Sequence, residues 1–389
     1  MRGMESQIIA PELERLIGFE QLPRAHGLAL IKGLMRAHLE DFRVAETLSF
    51  EPDDQGAHWL LQVRKTGANT EWVARRLAAL TGVAVRDIGY AGLKDRQAVA
   101  TQWFSLPLGE GPVPDWSPLA AEGMEVLACR RHGRKLRRGA IAWNSFELRL
   151  RELSGDLDAL PARLSAMAAG GVPNYFGPQR FGRDAGNLAR AHHLLSARPG
   201  RGQRLSRYQR GLLLSAARSA LFNQVLARRV ELECWNQALP GERLQLAGSH
   251  SHFLAEVIDD SITNRVTSGD LSPTGPLCGT GDSLVDGELA ALEIEILAPW
   301  ADWIDGLGRA GLRAERRALI LRPLDLDWEM EEGACLRLTF RLPAGAYATS
   351  VVRELGDWWE PAGGGTGARA AADSSDSGKA VAAPGAGIE

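Results

Sequence analysis

The rhythm of apolar residues changes twice along this chain, and that change restricts the fold more than any single motif. In the first 150 residues, "FRVAETLSF", "HWLLQVRK", "VRDIGYAG", "AVATQWFSL" and "FELRLREL" read as strands. In the last of them Phe146, Leu148 and Leu150 alternate with polar neighbours, the pattern of a half-buried strand. After about Ser154 the pattern becomes helical: "DLDALPARLSAMAAGG", "NLARAHHLLSA" and "RYQRGLLLSAARSALFNQVLARRVELE" each suit a helix. Strands return at "RALILRP" and "CLRLTFRLP", followed by a helix at "YATSVVREL". A β-rich module split by a helix-rich insertion is therefore expected, an α+β chain with no internal repeat.

One early helix interrupts the strands. "TEWVARRLAALTG" places Val73, Leu77 and Leu80 on one face, with Asn69 or Thr70 to cap it and Gly82 to end it. Residues 236–295 are looser, with many Gly, Pro and Ser. The segment Pro361–Glu389 is rich in Gly, Ala and Ser and lacks large apolar side chains. It cannot bury enough surface to offset the entropy of ordering, so a disordered tail is expected and the fold should end near Trp358.

A length of 389 residues suits about two domains. The net charge of −3 does not mark a nucleic-acid binder, so local charge matters more. The four cysteines, Cys129, Cys234, Cys278 and Cys335, lie far apart with no CxxC pair, which argues against zinc ribbons and suits a reducing compartment. The N-terminus has no apolar signal core, and no apolar run is long enough to span a membrane. A cytoplasmic protein without a membrane segment is expected.

Three runs concentrate arginine. "CRRHGRKLRRG" holds Arg130, Arg131, Arg134, Lys135, Arg137 and Arg138; "RPGRGQRLSRYQR" holds Arg198, Arg201, Arg204, Arg207 and Arg210 around Tyr208; "RAGLRAERR" holds Arg309, Arg313, Arg316 and Arg317. Guanidinium forks fit phosphate oxygens, and a solvated charged face is the plainer alternative. "GLGRAG" matches a dinucleotide fingerprint only in letters, because no buried strand precedes it. His192, His193, His250 and His252 lack a third ligand at metal spacing, so no metal site is expected. "NYFGPQRFG", Asn174 to Gly182, reads either as a packed turn or as an RNA-facing loop.

"AGLKDRQ" sets Asp95 between Lys94 and Arg96 in a short loop flanked by strands. Such a loop is either a solvated turn or a rigid mount for one carboxylate. Flanking cations favour the ionised form, which suits a nucleophile or general base.

Several stretches together resemble one family. They are "DFRVAE" (41–46), "NTEWVARRLA" (69–78), "GYAGLKDRQAVATQW" (89–103), "GRKLRRGAIAWNSFEL" (133–148), "VPNYFGPQRFGRDAGN" (172–187), "LLSAARSALFNQVLARR" (213–229), "ERRAL" (315–319) and "LPAGAYATSVVREL" (342–355). In this order they resemble the TruD family of tRNA pseudouridine synthases. The resemblance implies a pseudouridine synthase catalytic fold, a mixed sheet with helices in circularly permuted order, carrying a helix-rich insertion particular to the family. It divides the chain into a catalytic part at 1–169, an inserted domain at 170–316, a second catalytic part at 317–360 and a tail at 361–389. It implies conversion of a uridine in the tRNA D arm, position 13 in tRNA numbering, to pseudouridine. No cofactor or metal is implied. tRNA is the expected partner and a monomer the expected state.

Carried over by motif, Asp95 is the catalytic aspartate, and Phe42, Asn144, Phe146 and Tyr347 are substrate contacts. Lys94, Arg96, Arg134, Lys135, Arg137 and Arg180 are the expected RNA contacts. Two departures touch this site: Ala100 stands where the family commonly has Thr, and Tyr347 where it often has Phe. The implied chemistry needs one placed carboxylate, aromatic walls around an extruded base, and an amide for a uracil edge.

Overall fold

The computed structural model describes residues 13–16, 18–109, 111–182, 185–196, 205–249 and 251–361. The expected tail, apart from Pro361, lies outside these residues, as do Arg198, Arg201, Arg204 and His250. The first part of the chain forms strands β1 (Ile31–Met35), β2 (Phe42–Leu48) and β3 (His58–Thr66), helix α1 (Thr70–Thr81), then β4 (Gly89–Tyr90), β5 (Val99–Leu106), β6 (Met124–His132) and β7 (Ile141–Gly155). The middle holds α2 (Leu160–Gly170), β8 (Val172–Pro173), α3 (Gly186–Ser196), α4 (Arg207–Glu231), β9 (Glu242–Leu246) and β10 (His252–Ala255). It continues through α5 (Asp260–Ser268), β11 (Leu271–Leu277), α6 (Gly287–Leu297), α7 (Ala301–Arg309) and β12 (Glu315–Ala318). The last part is β13 (Ile320–Leu321), β14 (Leu324–Glu331), β15 (Cys335–Pro343), α8 (Ala348–Val352) and β16 (Gly356–Trp359).

A ten-stranded mixed sheet runs β14-β15-β7-β2-β5-β3-β6, with β1 on β7, β16 on β1 and β4 on β5. Its β2–β5 and β1–β16 pairs are parallel and the others antiparallel. Directly paired residues point to the same face of a sheet. Phe42 faces Leu148, Val44 faces Phe146, and Glu46 faces Asn144 across β2 and β7. Val44 also faces Ala100, which faces Lys65 on β3. One face therefore carries Phe42, Val44, Glu46, Lys65, Gln102, Asn144 and Phe146.

Two apolar clusters cover that face. Leu148, Leu150, Leu336 and Leu338 pack with Leu160, Leu164 and Met167 of α2 and Val351 and Val352 of α8. Leu61, Val63 and Phe104 pack with Val73, Ala74 and Leu77 of α1. Between them lies a polar strip in which Glu46, Lys65, Gln102 and Asn144 are all buried. Buried polar groups need partners, and the partners of this strip build the site described below.

α1 forms as its sequence dictates. The Asn69 side chain accepts from the Trp72 amide, and Gly82 closes the helix with φ 72°, a left-handed turn that glycine adopts without a Cβ clash. Leu80, expected on the buried face, is instead among the exposed apolar residues. "VRDIGYAG" is also not one strand: Val85–Asp87 is a single 3-10 turn and only Gly89–Tyr90 pairs. The middle of the chain is helix-rich as expected and also holds a sheet that its looser stretch did not announce: β10-β9-β11-β12 form a four-stranded sheet packed on α4. "RALILRP" breaks into β12 and β13 on two different sheets. No helix among the described residues is long and apolar enough to cross a membrane.

Candidate active site

The loop from Ala91 to Ala98 leaves the sheet between β4 and β5, and buried side chains tie it down. Gln102 donates to the Gly92 carbonyl at 2.7 Å and accepts from the Thr70 hydroxyl at 2.9 Å. The Thr70 oxygen in turn accepts from the Lys94 amide at 2.9 Å. Lys65, fully buried, donates from Nζ to the carbonyls of Ala68 at 2.5 Å and Asp95 at 2.9 Å. Burial pulls the Lys65 ammonium down to about 8, against the Asp95 and Glu46 carboxylates, which pull it up. Each such bond contributes about 1 kcal/mol net, and together they fix a short loop at three points, Gly92, Lys94 and Asp95. The Asp95 backbone is pinned while its side chain stays 44% exposed.

The cation on Asp95 is Arg36, which the sequence did not flag. Arg36 Nη2 donates to Asp95 Oδ2 at 3.2 Å, and Nη1 donates to Glu360 Oε1 at 2.6 Å. Its guanidinium lies 4.2 Å from the centre of the Phe42 ring. Arg36 itself sits at φ 60°, a left-handed backbone that disfavours a Cβ-bearing residue. Among the described residues Asp95 Oδ1 carries no hydrogen bond, so one carboxylate oxygen is held and the other is left open. Phe42 is placed by its neighbour: Asp41 accepts from the Arg151 guanidinium at 2.7–2.9 Å and from the His38 amide at 2.9 Å.

Neither sequence neighbour of Asp95 pairs with it. Lys94 turns inward, where Nζ donates to Asn144 Oδ1 at 2.7 Å and lies 2.8 Å from Glu46 Oε1. That second contact is an ion contact off the hydrogen-bond line, since Glu46 Oε1 counts no hydrogen bond. Glu46 Oε2 accepts from the Trp103 amide at 2.9 Å. Lys94 is thus committed to buried partners, which corrects its expected role on a phosphate. Its bond also takes the Asn144 acceptor, leaving the Nδ2 hydrogens without a partner among the described residues. Arg96 is exposed and donates from Nε to the Gly67 carbonyl at 3.1 Å.

The expected aromatic contacts fall into two groups. Phe42 meets Phe146 edge to face at 6.0 Å between centroids, and Phe146 stacks on Phe340 at 5.3 Å. Phe42 is buried, with Arg36 over its face, so no open stacking surface is present there. Tyr347 belongs to a second group, 6.0 Å from Phe176 and accepting from Arg180 Nε at 2.8 Å. The two groups adjoin, because Ala346 and Ala348 beside Tyr347 pack in the cluster that contains Phe42, Phe146 and Ala98. "NYFGPQRFG" combines both of its readings: Tyr175 and Phe181 are core residues, while Arg180 reaches the seam.

The basic runs divide in the same way. Arg130 pairs with Asp54, and Arg131 lies over Trp59, whereas Arg134, Arg137 and Arg138 are exposed without an ion pair among the described residues. Lys135 donates to the Arg86 carbonyl at 2.6 Å. Arg316 is bound to Glu293 at 2.8 Å, a structural role. "GLGRAG" lies at the end of α7 and beyond it, with Gly306 packed on Leu195, and so has no nucleotide-binding context. His192 accepts from Trp303 at 3.2 Å.

The family model for tRNA pseudouridine synthase D (TruD) matches residues 24–198 and 199–355. A protein of Methylococcus capsulatus named tRNA pseudouridine synthase D is 50% identical over 338 residues, covering 87% of this chain and 95% of the relative. One of Nitrosococcus oceani with the same name is 48% identical over 329 residues, covering 84% and 91%. The solved structure titled a tRNA pseudouridine synthase D from Methanosarcina mazei superposes with TM-score 0.64 at 20% identity, covering 86% of this chain and 95% of that one, a likeness of fold. These relations define the class as an RNA-modifying isomerase. The chain belongs to the tRNA pseudouridine synthase D (TruD) family.

Proposed function

We propose that this chain isomerises one uridine of tRNA, in the D arm at position 13 in tRNA numbering, to pseudouridine. Asp95 is the catalytic carboxylate, and the enzyme acts in the cytoplasm as a monomer. One observation carries the assignment to Asp95: its backbone is pinned by Lys65, one oxygen is held by Arg36 and the other is free. Family membership supports the substrate class.

The reaction breaks the bond from C1′ to N1, turns the uracil and joins C1′ to C5. The C5 proton leaves and N1 gains one. Substrate and product are isomers, so no electron or group has to be supplied, which is the ground for proposing no cofactor. Asp95 serves either by attacking the sugar or base, or by taking a C2′ proton to give a glycal. Each route uses one unengaged oxygen, which Oδ1 provides. The uridine must leave its stack. The Phe42 and Phe146 edges wall the pocket, and the free Asn144 amide hydrogens suit a uracil carbonyl. Lys94 orients Asn144. Arg96, Arg134, Lys135, Arg137 and Arg180 face the RNA. For a uracil to stack on Phe42, the Arg36 guanidinium must slide off the ring.

Incubation with tRNA lacking pseudouridine, followed by mapping of pseudouridine at each position, tests this reading. Conversion at a single D-arm uridine is expected. No conversion, or conversion confined to another arm, would defeat it.

A further inference from the structure

Arg317 and Arg180 are unlike the other deeply placed arginines. Arg229 has Glu242 at 3.1 Å, Arg316 has Glu293 at 2.8 Å, and Arg353 has Glu354 at 3.0 Å. Arg322 lacks a carboxylate but donates to the carbonyls of Ala169 and Val266, in the last turns of α2 and α5, where the helix dipole is negative. Arg317 and Arg180 form no ion pair among the described residues. Their partners are neutral: Asn174 Oδ1 at 2.7 Å and the Gly345 carbonyl at 3.2 Å for Arg317, and Tyr347 and Ser215 for Arg180.

Both guanidiniums lie against the same ring, 4.2 and 5.4 Å from the centre of Phe176. Arg317 keeps a minor part of its surface open, yet its Nε is buried with no partner. Burial pulls its guanidinium down to about 10, and Arg180 lowers it further while Tyr347 raises it. Two neighbouring cations without a counter-ion are unfavourable in a low-dielectric seam. The Tyr347 hydroxyl accepts from Arg180, so its hydrogen is free to donate, and the buried Thr349 hydroxyl has no partner among the described residues. Every unsatisfied group here is a donor or a cation, except the versatile Thr349 oxygen.

We propose that Arg317 and Arg180, with the Tyr347 hydroxyl, bind one phosphate group of the substrate RNA backbone beside the target uridine. The inference rests on the function proposed above. A uracil carbonyl would leave both charges uncompensated, whereas a phosphodiester supplies one negative charge and two open oxygens that guanidinium forks fit. The position follows from Ala346 and Ala348, which join this seam to the cluster holding Phe42 and Ala98, three residues past Asp95. It also gives the free hydrogen of the Tyr347 hydroxyl a task.

The test neutralises backbone linkages of the RNA one at a time as methylphosphonates near the target uridine, and measures affinity for the wild type, Arg317→Gln and Arg180→Gln. One linkage should weaken the wild type about tenfold when neutralised and should not weaken either variant further. The slope of log affinity against log salt should fall by about 0.7–0.9 in each variant, one phosphate's worth. Melting temperatures should not fall in Arg317→Gln, because a buried unpaired cation is removed. Equal penalties at every linkage in all three proteins would overturn the proposal. So would stabilisation of the wild type alone by inorganic phosphate with no linkage effect, which would mean a free-phosphate site. Conversion to pseudouridine is scored in the same samples. Conversion without linkage coupling defeats this inference alone, and coupling without conversion defeats the catalytic reading alone.

Discussion

Replacing Arg36 by Met separates positioning from stability. Met keeps an apolar chain over Phe42 but cannot hold Asp95 or Glu360. Asp95 is 44% and Glu360 38% exposed, so each ion pair is screened and contributes about 0–1 kcal/mol to folding. The guanidinium–ring contact adds about 0.5–1 kcal/mol, part of which the Met side chain retains. The expected loss of stability is about 1–2 kcal/mol, a few degrees in Tm for a chain of this size. The effect on rate should be larger. Asp95 loses the Arg36 contact that fixes its carboxylate, and a displacement of about 1 Å at a reacting group lowers the rate about 100-fold, or about 2.7 kcal/mol of barrier. Single-turnover conversion, thermal melting and RNA affinity measured on Arg36→Met should give a rate about 100-fold down, a Tm within about 5 °C and affinity within a few-fold. An unchanged rate would refute the idea that Arg36 positions Asp95. So would a rate loss that merely tracks a collapse in Tm.

Three other outcomes follow from the same geometry. Lys65 loses its proton near 8 when folded and near 10.5 when unfolded, so the unfolded chain binds more protons in that window. Stability should therefore rise with pH from about 8 to 10.5, Lys65→Met should lack that rise, and equal pH slopes in denaturant titrations would contradict it. Phe42→Leu removes a buried ring that supports Arg36 and meets Phe146. Both Tm and low-temperature turnover should fall, and a full rate at low temperature would make Phe42 purely structural. Arg134→Gln, Lys135→Gln and Arg137→Gln combined should flatten the salt dependence of RNA binding by about 2–3 slope units. An unchanged slope would return this run to a solvated face.

Much of the site was legible because its residues lie in local signals. The strand after Asp95 reads from its apolar run, "AVATQWFSL", and the Asn69 cap and Gly82 stop mark α1. Lys65 and Glu46 were also readable: Lys65 shares parity with Leu61 and Val63, and Glu46 with Phe42 and Val44, so strict alternation turns both inward. Arg36 gave no such signal. It meets Asp95 across 59 residues through sheet pairing, a relation that no local pattern encodes. Adjacency in sequence makes Lys94 and Arg96 natural partners for Asp95, but successive residues in an extended loop point apart, and buried Glu46 claims Lys94. The small sheet was hidden because β11, "LSPTGPL", carries two prolines and a glycine that read as a turn. Arginine runs overstated the RNA surface, since Arg316 and Arg130 answer to carboxylates of the fold itself.

If the single carboxylate of Asp95 performs the isomerisation, Asp95→Asn should abolish it. The amide keeps the size of the side chain, and the Lys65 bond goes to the backbone carbonyl, so the loop should hold. Single-turnover conversion of a tRNA substrate should be measured at enzyme concentrations above the dissociation constant of each protein. Binding should stay within a few-fold of wild type, with no pseudouridine above background. Pseudouridine formed by Asp95→Asn at a rate within tenfold of wild type would contradict it.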